Sequence, residues 1–271
     1  MSPVFDCSSE GMRREGLAKA AEAVREGKLV VLPTDTLYGV GADAFNREAV
    51  EALLGAKGRG RHMPPPVLVG EARTIDGLAI DVPDYVRALV DAFWPGPLTI
   101  VLRAQPSLSW DLGDTNGTVA LRMPDHDLAL ALLREVGPMA VSSANLTGWP
   151  AARTMVDAAT QLGSAVFVYL DDGPVGEGLA STVVDCTTDL PTILREGAIG
   201  ADRLAPYLPA EAPTIPEPSD HEPSEHETPD EDPSAEKPSA DEPSNDEPAE
   251  PEMLDPTTTP TLAQDERSTT P

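Results

Sequence analysis

Several features that define classes of protein are scarce or missing in this sequence. Its 271 residues include two cysteines, Cys7 and Cys186, which are too few for a disulfide framework and lack metal-ligand spacing. No apolar run reaches the roughly 18 residues that a membrane span needs. The N-terminus has no apolar segment behind its charged residues, so we expect no signal peptide. These absences favour a reduced, cytoplasmic protein without a membrane segment.

Positive charge is also scarce. The chain has 19 basic and 46 acidic residues, which give a formal net charge of -27. From Glu211 onward there are 19 acidic and 2 basic residues, which leaves the first 210 residues with a net charge of -10. A body with that charge lacks the basic face on which nucleic acids usually bind. Any anionic ligand must therefore meet a local cluster of cations.

Standard motifs for catalysis and nucleotide binding are absent as well. The sequence has no GxGxxG after its first predicted strand and no Walker A sequence, so neither standard nucleotide fold is supported. It has no GxSxG and no HExxH, and only His62 and His126 precede residue 211. These gaps argue against a serine-hydrolase triad and against a structural zinc site.

The last part of the chain has the composition of a disordered tail. From about residue 212 there is no aromatic residue, and prolines recur at a loose five-residue step among Glu, Asp and Ser. Such a segment cannot bury enough apolar surface to offset the loss of chain entropy. We predict a disordered acidic Pro/Glu/Ser-rich tail over residues 211–271. Its role stays open between solubility, protein interaction and phosphorylation.

Residues 1–210 are typical of one α/β domain. Helical spacing of apolar residues predicts helices over 14–26, 47–56, 85–93, 127–136 and 154–162. Short apolar runs predict strands over 29–33, 66–70, 98–103, 118–124, 139–145, 165–170, 181–186 and 191–195. Because several strands follow one another without a helix between them, we expect a single sheet of mixed direction.

Two polar stretches follow predicted strands. The first, PTDTLYGVGADA (33–44), places hydroxyls and a carboxylate at a strand end, where open α/β sheets bind ligands. Gly39 and Gly41 permit tight backbone turns there, and the alternative interpretation is a turn with local side-chain caps. The second, VSSANLTGWPAA (141–152), offers small hydroxyls and an amide that could bind a sugar, phosphate or carboxyl group.

The densest cluster of cations is AKGRGRHMPPP (56–66). Lys57 and Arg59 are two residues apart, just after a predicted helix. If the backbone is extended there, both side chains point the same way, which suits a polyphosphate. The alternative for Lys57 is a cation that complements the helix dipole. Arg122 closes TVALR and Arg195 ends a predicted strand, and both could join the same edge of the sheet.

Seven motifs in this order resemble the threonylcarbamoyl-adenylate synthase family, which has a YrdC-like domain. They are PTDTLYGVGADA, AKGR, FWPGPLTIVL, VALRMPDH, SSANLTG, STVVD and ILREGAI. The resemblance runs from about Gly11 to Tyr207 and implies an open, twisted α/β sheet with a concave, positively charged cavity. The implied enzyme is a nucleotidyltransferase that makes L-threonylcarbamoyladenylate and pyrophosphate from L-threonine, bicarbonate and ATP. Its product feeds the N6-threonylcarbamoyl modification of adenosine 37 in tRNA.

The resemblance also implies roles for individual residues. It assigns Lys57 and Arg59 to catalysis at the nucleotide phosphates. The positions similar to ATP contacts of the family are Lys57, Arg59, Thr118, Ser143, Asn145, Ala151 and Arg195. Those similar to its L-threonine contacts are Thr36, Arg122, Val141 and Ser181. The mechanism needs no protein nucleophile, and Mg²⁺ is expected to bind mainly through the ATP phosphates. A tRNA threonylcarbamoyl-transferase complex is the implied downstream partner, with a weak tRNA contact as a further possibility.

The sequence departs from the family pattern just after Arg59. Gly60, Met63 and Leu68 stand where the family usually has proline, a polar ATP contact and a threonine-binding histidine. Leucine cannot form that hydrogen bond to threonine, so we expect the bond to be missing or to come from His62 or Arg61. Two rival functions are a non-catalytic module for double-stranded RNA or tRNA and a carbamoyl-adenylate former of hydrogenase maturation. The acidic body argues against the first, and the second works within a much larger chain.

Overall fold

The computed structural model describes residues 2–176 and 178–210. The predicted disordered tail, residues 211–271, lies outside the described residues. Within them, every helix is too short or too polar to cross a membrane.

Helices and strands alternate along this part of the chain. The helices are α1 Glu10–Arg25, α2 Arg47–Ala56, α3 Ile75–Leu78, α4 Asp84–Phe93, α5 Asp127–Val136, α6 Met155–Leu162 and α7 Ala201–Leu204. The strands are β1 Val4–Asp6, β2 Val30–Leu32, β3 Gly39–Asp43, β4 Val67–Leu68, β5 Ala79–Ile80, β6 Leu98–Ala104, β7 Thr118–Arg122, β8 Met139–Ser143, β9 Val168–Asp171, β10 Thr182–Asp185 and β11 Thr192–Arg195.

All described strands belong to one open sheet. Its order is β1-β9-β2-β3-β8-β4-β7-β6-β10-β11, and β5 pairs with β6 beside this path. The pairs β1/β9, β2/β9, β4/β7 and β6/β10 are parallel, whereas β2/β3, β3/β8, β4/β8, β5/β6, β6/β7 and β10/β11 are antiparallel. The predicted single α/β sheet of mixed direction is therefore confirmed.

Helices cover both faces of the sheet. One apolar cluster joins α1 and α5 to the strands through residues such as Val24 and Leu132. The other joins α2, α4 and α6 to the opposite face, with Leu53 and Leu89 among its members. Successive side chains of a strand point to opposite faces, so strands covered on both sides read as continuous apolar runs. Val30–Leu32 is such a run, with no exposed side chain.

The predicted helices are present, with shifts mainly at their ends. Helix α2 begins where predicted because the Asn46 side chain accepts a hydrogen bond from the backbone N–H of Ala49 (3.0 Å). Helix α6 begins with a reciprocal cap between Thr154 and Asp157. Helix α1 starts four residues earlier than predicted, at Glu10, because its first turn is polar and carries no apolar periodicity.

Strand β3 was not predicted, and the tight turns that Gly39 and Gly41 would permit are not formed. Both glycines lie in the strand, where Gly39 pairs with Ser143 and Gly41 with Val141. A Cβ atom on Gly39 would lie 2.6 Å from Cγ1 of Val141. The glycines thus allow close approach of a neighbouring side chain. Two glycines lower strand propensity, which explains why the apolar pattern did not reveal β3.

Candidate active site

A cavity of about 350 Å³ opens across the sheet. Seven neighbouring strands, β3, β8, β4, β7, β6, β10 and β11, each contribute lining residues. Loop residues after β2 and around Pro64 complete the wall. Apart from Tyr38, whose hydroxyl donates to the carbonyl of Gly173, the polar lining residues are Thr34, Thr36, Arg59, Thr99, Arg122, Ser142, Ser143, Ser181 and Arg195. The sheet therefore gathers hydroxyls and three guanidinium groups that are far apart in the sequence.

Arg59 and Arg195 bring positive charge to the cavity without acidic partners. Arg59 donates from Nη1 to Oγ of Ser142 (3.0 Å), and its buried Nε has no hydrogen-bond partner. Arg195 donates from Nε and Nη2 to the carbonyl of Ser181 (3.1 and 2.8 Å). No carboxylate of the described residues lies within 4.0 Å of either guanidinium. Burial, followed by the charge of Arg195, lowers the pKa of Arg59, and the negative charge of a bound anion would oppose this shift.

Arg122 is held on three sides. Its Nε donates to the carbonyl of Gly96 (3.0 Å), and its Nη1 donates to Oγ1 of Thr36 (3.0 Å). Its Nη2 donates to the carboxylate of Asp35. The residue lines the cavity while being 7% exposed. Because a guanidinium has five N–H donors, two remain for a ligand.

The hydroxyl of Thr36 keeps one acceptor position open toward the cavity. Thr34 donates its hydroxyl hydrogen to the carbonyl of Leu37 (2.7 Å) and accepts from the backbone N–H groups of Thr36 and Leu37 (3.2 and 3.3 Å), so it does not donate in its 3.1 Å contact with the hydroxyl of Thr36. Thr36 also accepts a hydrogen bond from Arg122. A hydroxyl has one hydrogen and two acceptor lone pairs. Thr36 therefore offers a ligand one acceptor position, which suits an amine or a hydroxyl.

Ser181 connects the arginine of β11 to the floor of the cavity. Its Oγ lies 2.8 Å from Oγ1 of Thr99 and accepts from Nη2 of Arg195 (3.2 Å). Thr99 was not singled out from the sequence. Its signal was a single hydroxyl in the otherwise apolar run LTIVL, and its buried position on β6 turns that hydroxyl toward Ser181.

Lys57 lies behind the cavity wall. Its ammonium group donates to the carbonyls of Ser143 and Asn145, the latter at 2.6 Å. The residue is 3% exposed and does not line the cavity. Burial, with a smaller contribution from Arg59, lowers the pKa of Lys57 to about 8. In this structure Lys57 thus shapes the loop after β8, whereas Arg59 faces the cavity directly.

The backbone between Lys57 and Arg59 is not extended, so the condition under which both side chains would point the same way is not met. Gly58 has a φ of +60°, and the N–H groups of Gly58 and Arg59 donate to the carbonyls of Gly55 and Leu54 (3.0 and 2.9 Å). This pair of bonds is a Schellman motif at the end of α2. The motif reverses the chain direction, and it explains why the two cations reach different partners instead of pointing the same way.

Of the remaining predicted site residues, some lie in or next to the cavity and others lie away from it. Val141 and Ser143 line the cavity, and Asn145 fixes the adjoining loop by donating from its amide to the carbonyls of Leu146 and Trp149 (2.8 Å each). Thr118 and Ala151 do not line it. Thr118 instead donates to the carbonyl of Thr115 (2.8 Å) and borders a second pocket.

That second pocket is larger, at about 570 Å³, but chemically different. Its lining includes Ile80, Arg103, Trp110 and Asp111. Arg103 lies 3.9 Å from the carboxylate of Asp81, so the cation there is already paired. Volume alone would select this pocket, but the unpaired arginines and the hydroxyls identify the smaller cavity as the candidate active site.

The departures from the family pattern have different consequences. Leu68 lines the cavity and is 3% exposed, so it contributes an apolar surface beside Val141. Arg61 is engaged by Asp111 (2.7 Å) and lies 3.6 Å from Asp114, and His62 is exposed. Neither of these residues lines the cavity. In this structure neither is placed to supply the hydrogen bond that Leu68 cannot make.

Most of the described part of the chain matches a known protein family. The Sua5/YciO/YrdC family model, described as "Telomere recombination", matches residues 22–197. The chain belongs to this family. A Bacillus subtilis member named threonylcarbamoyl-AMP synthase is 40% identical over 190 residues, which cover 69% of this chain and 55% of that protein. A Mycobacterium leprae member that carries this name provisionally is 56% identical over 208 residues, covering 77% and 94%.

Solved structures of the Sua5/YciO/YrdC family have the same fold. Pyrococcus abyssi Sua5 in complex with L-threonine matches with a TM-score of 0.73 at 32% identity, covering 79% of this chain and 63% of that one. Escherichia coli YciO matches with a TM-score of 0.67 at 25% identity, covering 77% and 100%. The open twisted sheet implied by the seven motifs is therefore confirmed.

Proposed function

We propose that this Sua5/YciO/YrdC family member is an L-threonylcarbamoyladenylate synthase. The reaction joins L-threonine, bicarbonate and ATP and releases pyrophosphate. The observation that carries the proposal is a single cavity with two kinds of arginine. Arg59 and Arg195 have no acidic partner among the described residues, and Arg122 is fixed beside the acceptor hydroxyl of Thr36. One end suits a polyphosphate and the other an amino acid.

The amino acid end fits L-threonine. The two free N–H groups of Arg122 suit its carboxylate, and Thr36 suits a donor group such as the amine. Val141 and Leu68 supply apolar surface for the methyl group. A relative that is 40% identical to this chain is named threonylcarbamoyl-AMP synthase, and the Pyrococcus structure is a complex with L-threonine.

The polyphosphate end fits ATP. The positive charge of Arg195 lowers the pKa of Arg59, so the two guanidinium groups suit a ligand with several negative charges. The hydroxyl of Ser142 accepts from Arg59, and Ser143 lines the same cavity. Oriented cations stabilise charge that develops on phosphate oxygens during transfer. Lys57 contributes by fixing the carbonyls of Ser143 and Asn145. The roles of Thr118, Asn145 and Ala151 toward ATP are part of the proposal.

The chemistry needs positioning more than a protein nucleophile. The amine of threonine attacks the carbon of bicarbonate, water leaves, and an N-carboxylate forms. An oxygen of that carboxylate then attacks the α-phosphorus, and the bond to pyrophosphate breaks. Holding the amino acid and the triphosphate in one cavity makes the second step effectively intramolecular. Arg59 and Arg195 stabilise the negative charge on the leaving pyrophosphate.

Mg²⁺ is part of the proposal as an ion carried by ATP. The cavity is lined by hydroxyls and guanidinium groups without a carboxylate, and the described residues form no cluster of three or more His, Cys, Asp or Glu that could hold a metal. This donor set does not fit a resident magnesium site, but it fits an ion coordinated by phosphate oxygens and water. Bound in that way, Mg²⁺ would neutralise part of the triphosphate charge.

The proposed place of the reaction is the cytoplasm, where ATP and tRNA occur together. A tRNA threonylcarbamoyl-transferase complex would consume the product. A non-catalytic tRNA-binding module is the alternative from the sequence, and a body with a net charge of -10 over residues 1–210 disfavours it. Direct tRNA contact by this chain would accordingly be weak.

The deciding experiment measures pyrophosphate release. The full chain is incubated with MgATP, bicarbonate and L-threonine, and each component is omitted in turn. We expect release only when all are present, together with a product of the mass of L-threonylcarbamoyladenylate. Pyrophosphate release that ignores threonine would contradict the proposal. Salt-sensitive tRNA binding without any turnover would favour the binding module.

A further inference from the structure

We propose that Asp35 is a positioning residue for the amino acid end of the cavity, where it fixes the orientation of Arg122. This inference deepens the proposed function and rests on it. Asp35 stands between Thr34 and Thr36, which line the cavity, but does not line it itself. It reaches the site only through its ion pair with Arg122.

The ion pair between Arg122 and Asp35 differs in burial from the other ion pairs of arginine in the described residues. Its side chains are 8% and 13% exposed, whereas each of the other arginines is at least 30% exposed. Exposed pairs hold side chains weakly because water competes with them. A buried pair is costly to break because one charge is left without a partner. Asp35 therefore constrains Arg122 much more strongly than a surface carboxylate would.

The constraint has a direction. The carbonyl of Gly96 accepts a hydrogen bond from Nε of Arg122, and the hydroxyl of Thr36 accepts one from Nη1. The carboxylate of Asp35 accepts a hydrogen bond from Nη2. This bond fixes the rotation of the guanidinium plane and leaves one free N–H on each terminal nitrogen of Arg122. A carboxylate with two oxygens requires both N–H groups in a defined plane. Without Asp35 the guanidinium group of Arg122 keeps only its hydrogen bonds to Gly96 and Thr36.

Asp35 also supports the charge of Arg122. Burial lowers the pKa of Arg122, and the carboxylate of Asp35 opposes this effect. The other carboxylate oxygen of Asp35, Oδ2, is buried and has no hydrogen-bond partner among the described residues. Arg122 is consequently the only hydrogen-bonding and ion-pair partner of the Asp35 side chain in this part of the chain. A substitution that neutralises Asp35 therefore tests one interaction.

A purely structural ion pair and a positioning residue predict different kinetics. Loss of a structural pair lowers the amount of folded enzyme and affects both substrates alike. Loss of positioning selectively weakens the binding of L-threonine, the substrate that Arg122 contacts. The separation of the KM for L-threonine from the KM for ATP distinguishes the two cases.

The test compares the wild type with Asp35→Asn and with Asp76→Asn. Asp76 pairs with Arg87 on the surface, where both side chains are about half exposed, so this control makes the same chemical change outside the cavity. For Asp35→Asn we expect the KM for L-threonine to rise about tenfold or more, because hydrogen bonds to charged groups contribute on that scale. The KM for ATP should stay within about twofold, as should both constants of Asp76→Asn.

A second readout uses the carboxylate itself. L-threoninamide keeps the amine, hydroxyl and methyl group of L-threonine but lacks the charged carboxylate. The wild type should bind L-threonine more tightly than the amide, and in Asp35→Asn this preference should shrink by about the same factor as KM rises. An unchanged preference, or an equal rise of both KM values, would overturn the inference.

Asp35→Glu covers the case in which Asp35→Asn does not fold. It keeps the negative charge but moves the carboxylate by one methylene, so we expect the KM for L-threonine to rise about threefold with that for ATP unchanged. A wild-type KM for L-threonine in this folded variant would refute the role of Asp35. Failure of the proposed function is separate, because the wild type would then release no threonine-dependent pyrophosphate.

Discussion

The two ends of the cavity hold their arginines in opposite ways. At the amino acid end, Arg122 is buried and engaged by Gly96, Thr36 and Asp35. At the phosphate end, Arg59 and Arg195 contact Ser142 and Ser181 but no carboxylate of the described residues within 4.0 Å. A fixed guanidinium can select the shape of a small carboxylate. Uncompensated guanidinium groups attract a highly charged ligand and can follow its charge as it changes.

The difference also explains how an acidic protein can hold ATP. The first 210 residues carry a net charge of -10, so the overall field repels a triphosphate. Most arginines of the described ion pairs are on the surface and are already matched to carboxylates, as Arg61 is to Asp111. Arg59 and Arg195 are the exceptions that face the cavity. Local charge in a low-dielectric cavity outweighs distant charge, which salt screens.

The largest effect is expected from Arg59→Ala, which removes an unpaired cation from the phosphate end. Loss of one donor that stabilises developing charge typically costs about 100-fold or more in turnover, and we expect a loss of that order in kcat/KM for ATP. Arg61→Ala is the matched control, because that arginine is two residues away and pairs with Asp111. Steady-state pyrophosphate release measures both variants. Equal activity of Arg59→Ala and the wild type would erase the contrast between the two ends.

A smaller and selective effect is expected from Thr36→Val at the amino acid end. Valine has nearly the same shape but removes the acceptor beside Arg122, so the KM for L-threonine should rise about tenfold while that for ATP changes little. Thr36→Ser retains the hydroxyl and serves as the control. If Thr36→Val raised the KM for ATP as much as that for threonine, the division of the cavity into two ends would be wrong.

A further prediction concerns Lys57, which supports the phosphate end from behind. Lys57→Met leaves the carbonyls of Ser143 and Asn145 without their donor, so we expect the free energy of unfolding to fall by about 1–3 kcal/mol. The pKa of Lys57 is about 8 in the folded state, below its ordinary 10.5. Between these values the unfolded chain binds more protons, so the wild type gains stability as pH rises.

Denaturant unfolding at several pH values checks this sign. The difference in free energy between the wild type and Lys57→Met should widen from about pH 8 to about pH 10, as the folded lysine loses its proton first. Lys19→Met is the control, since Lys19 is a surface residue paired with Glu22 and should show no widening. A difference that narrowed with pH would mean that burial does not lower the pKa of Lys57.

The smallest effect is expected from removing the residues after Pro209. All residues that line the cavity lie between Thr34 and Arg195, so kcat/KM for both substrates should stay within about twofold of the wild type. The measurement is the same pyrophosphate assay. A large loss of activity would give the C-terminal segment a part in catalysis that its composition does not predict.

Local patterns in the sequence were sufficient for most of the framework. Helices such as α2 and α5 begin and end as the apolar spacing predicts, because their buried faces repeat with the helical period. Strand β3 was missed, since Gly39 and Gly41 give no local signal for a strand. A side chain at either position would collide with Val141 on β8, which is about 100 residues away in the chain. No window along the sequence contains that neighbour.

The site was predictable as a set of residues but not as a set of contacts. Arg59, Arg122, Ser181 and Arg195 were expected in one cavity, and the fold brings them there. Lys57 and Arg59 look equivalent in the motif AKGR, but the left-handed Gly58 sends them to different partners. Asp35 stands in the motif PTDT without any sign that it pairs with a residue 87 positions away.

The sequence by itself determined the family, the mixed sheet and the concentration of cations in an acidic chain, because these follow from composition, periodicity and motif order. Only the tertiary structure decided which cations are free to meet a ligand. The charge that Arg59, Arg122 or Lys57 can offer depends on the partner that the fold places within hydrogen-bond distance of each. Those partners come from distant strands, and pairing between distant strands is set by packing of the whole sheet.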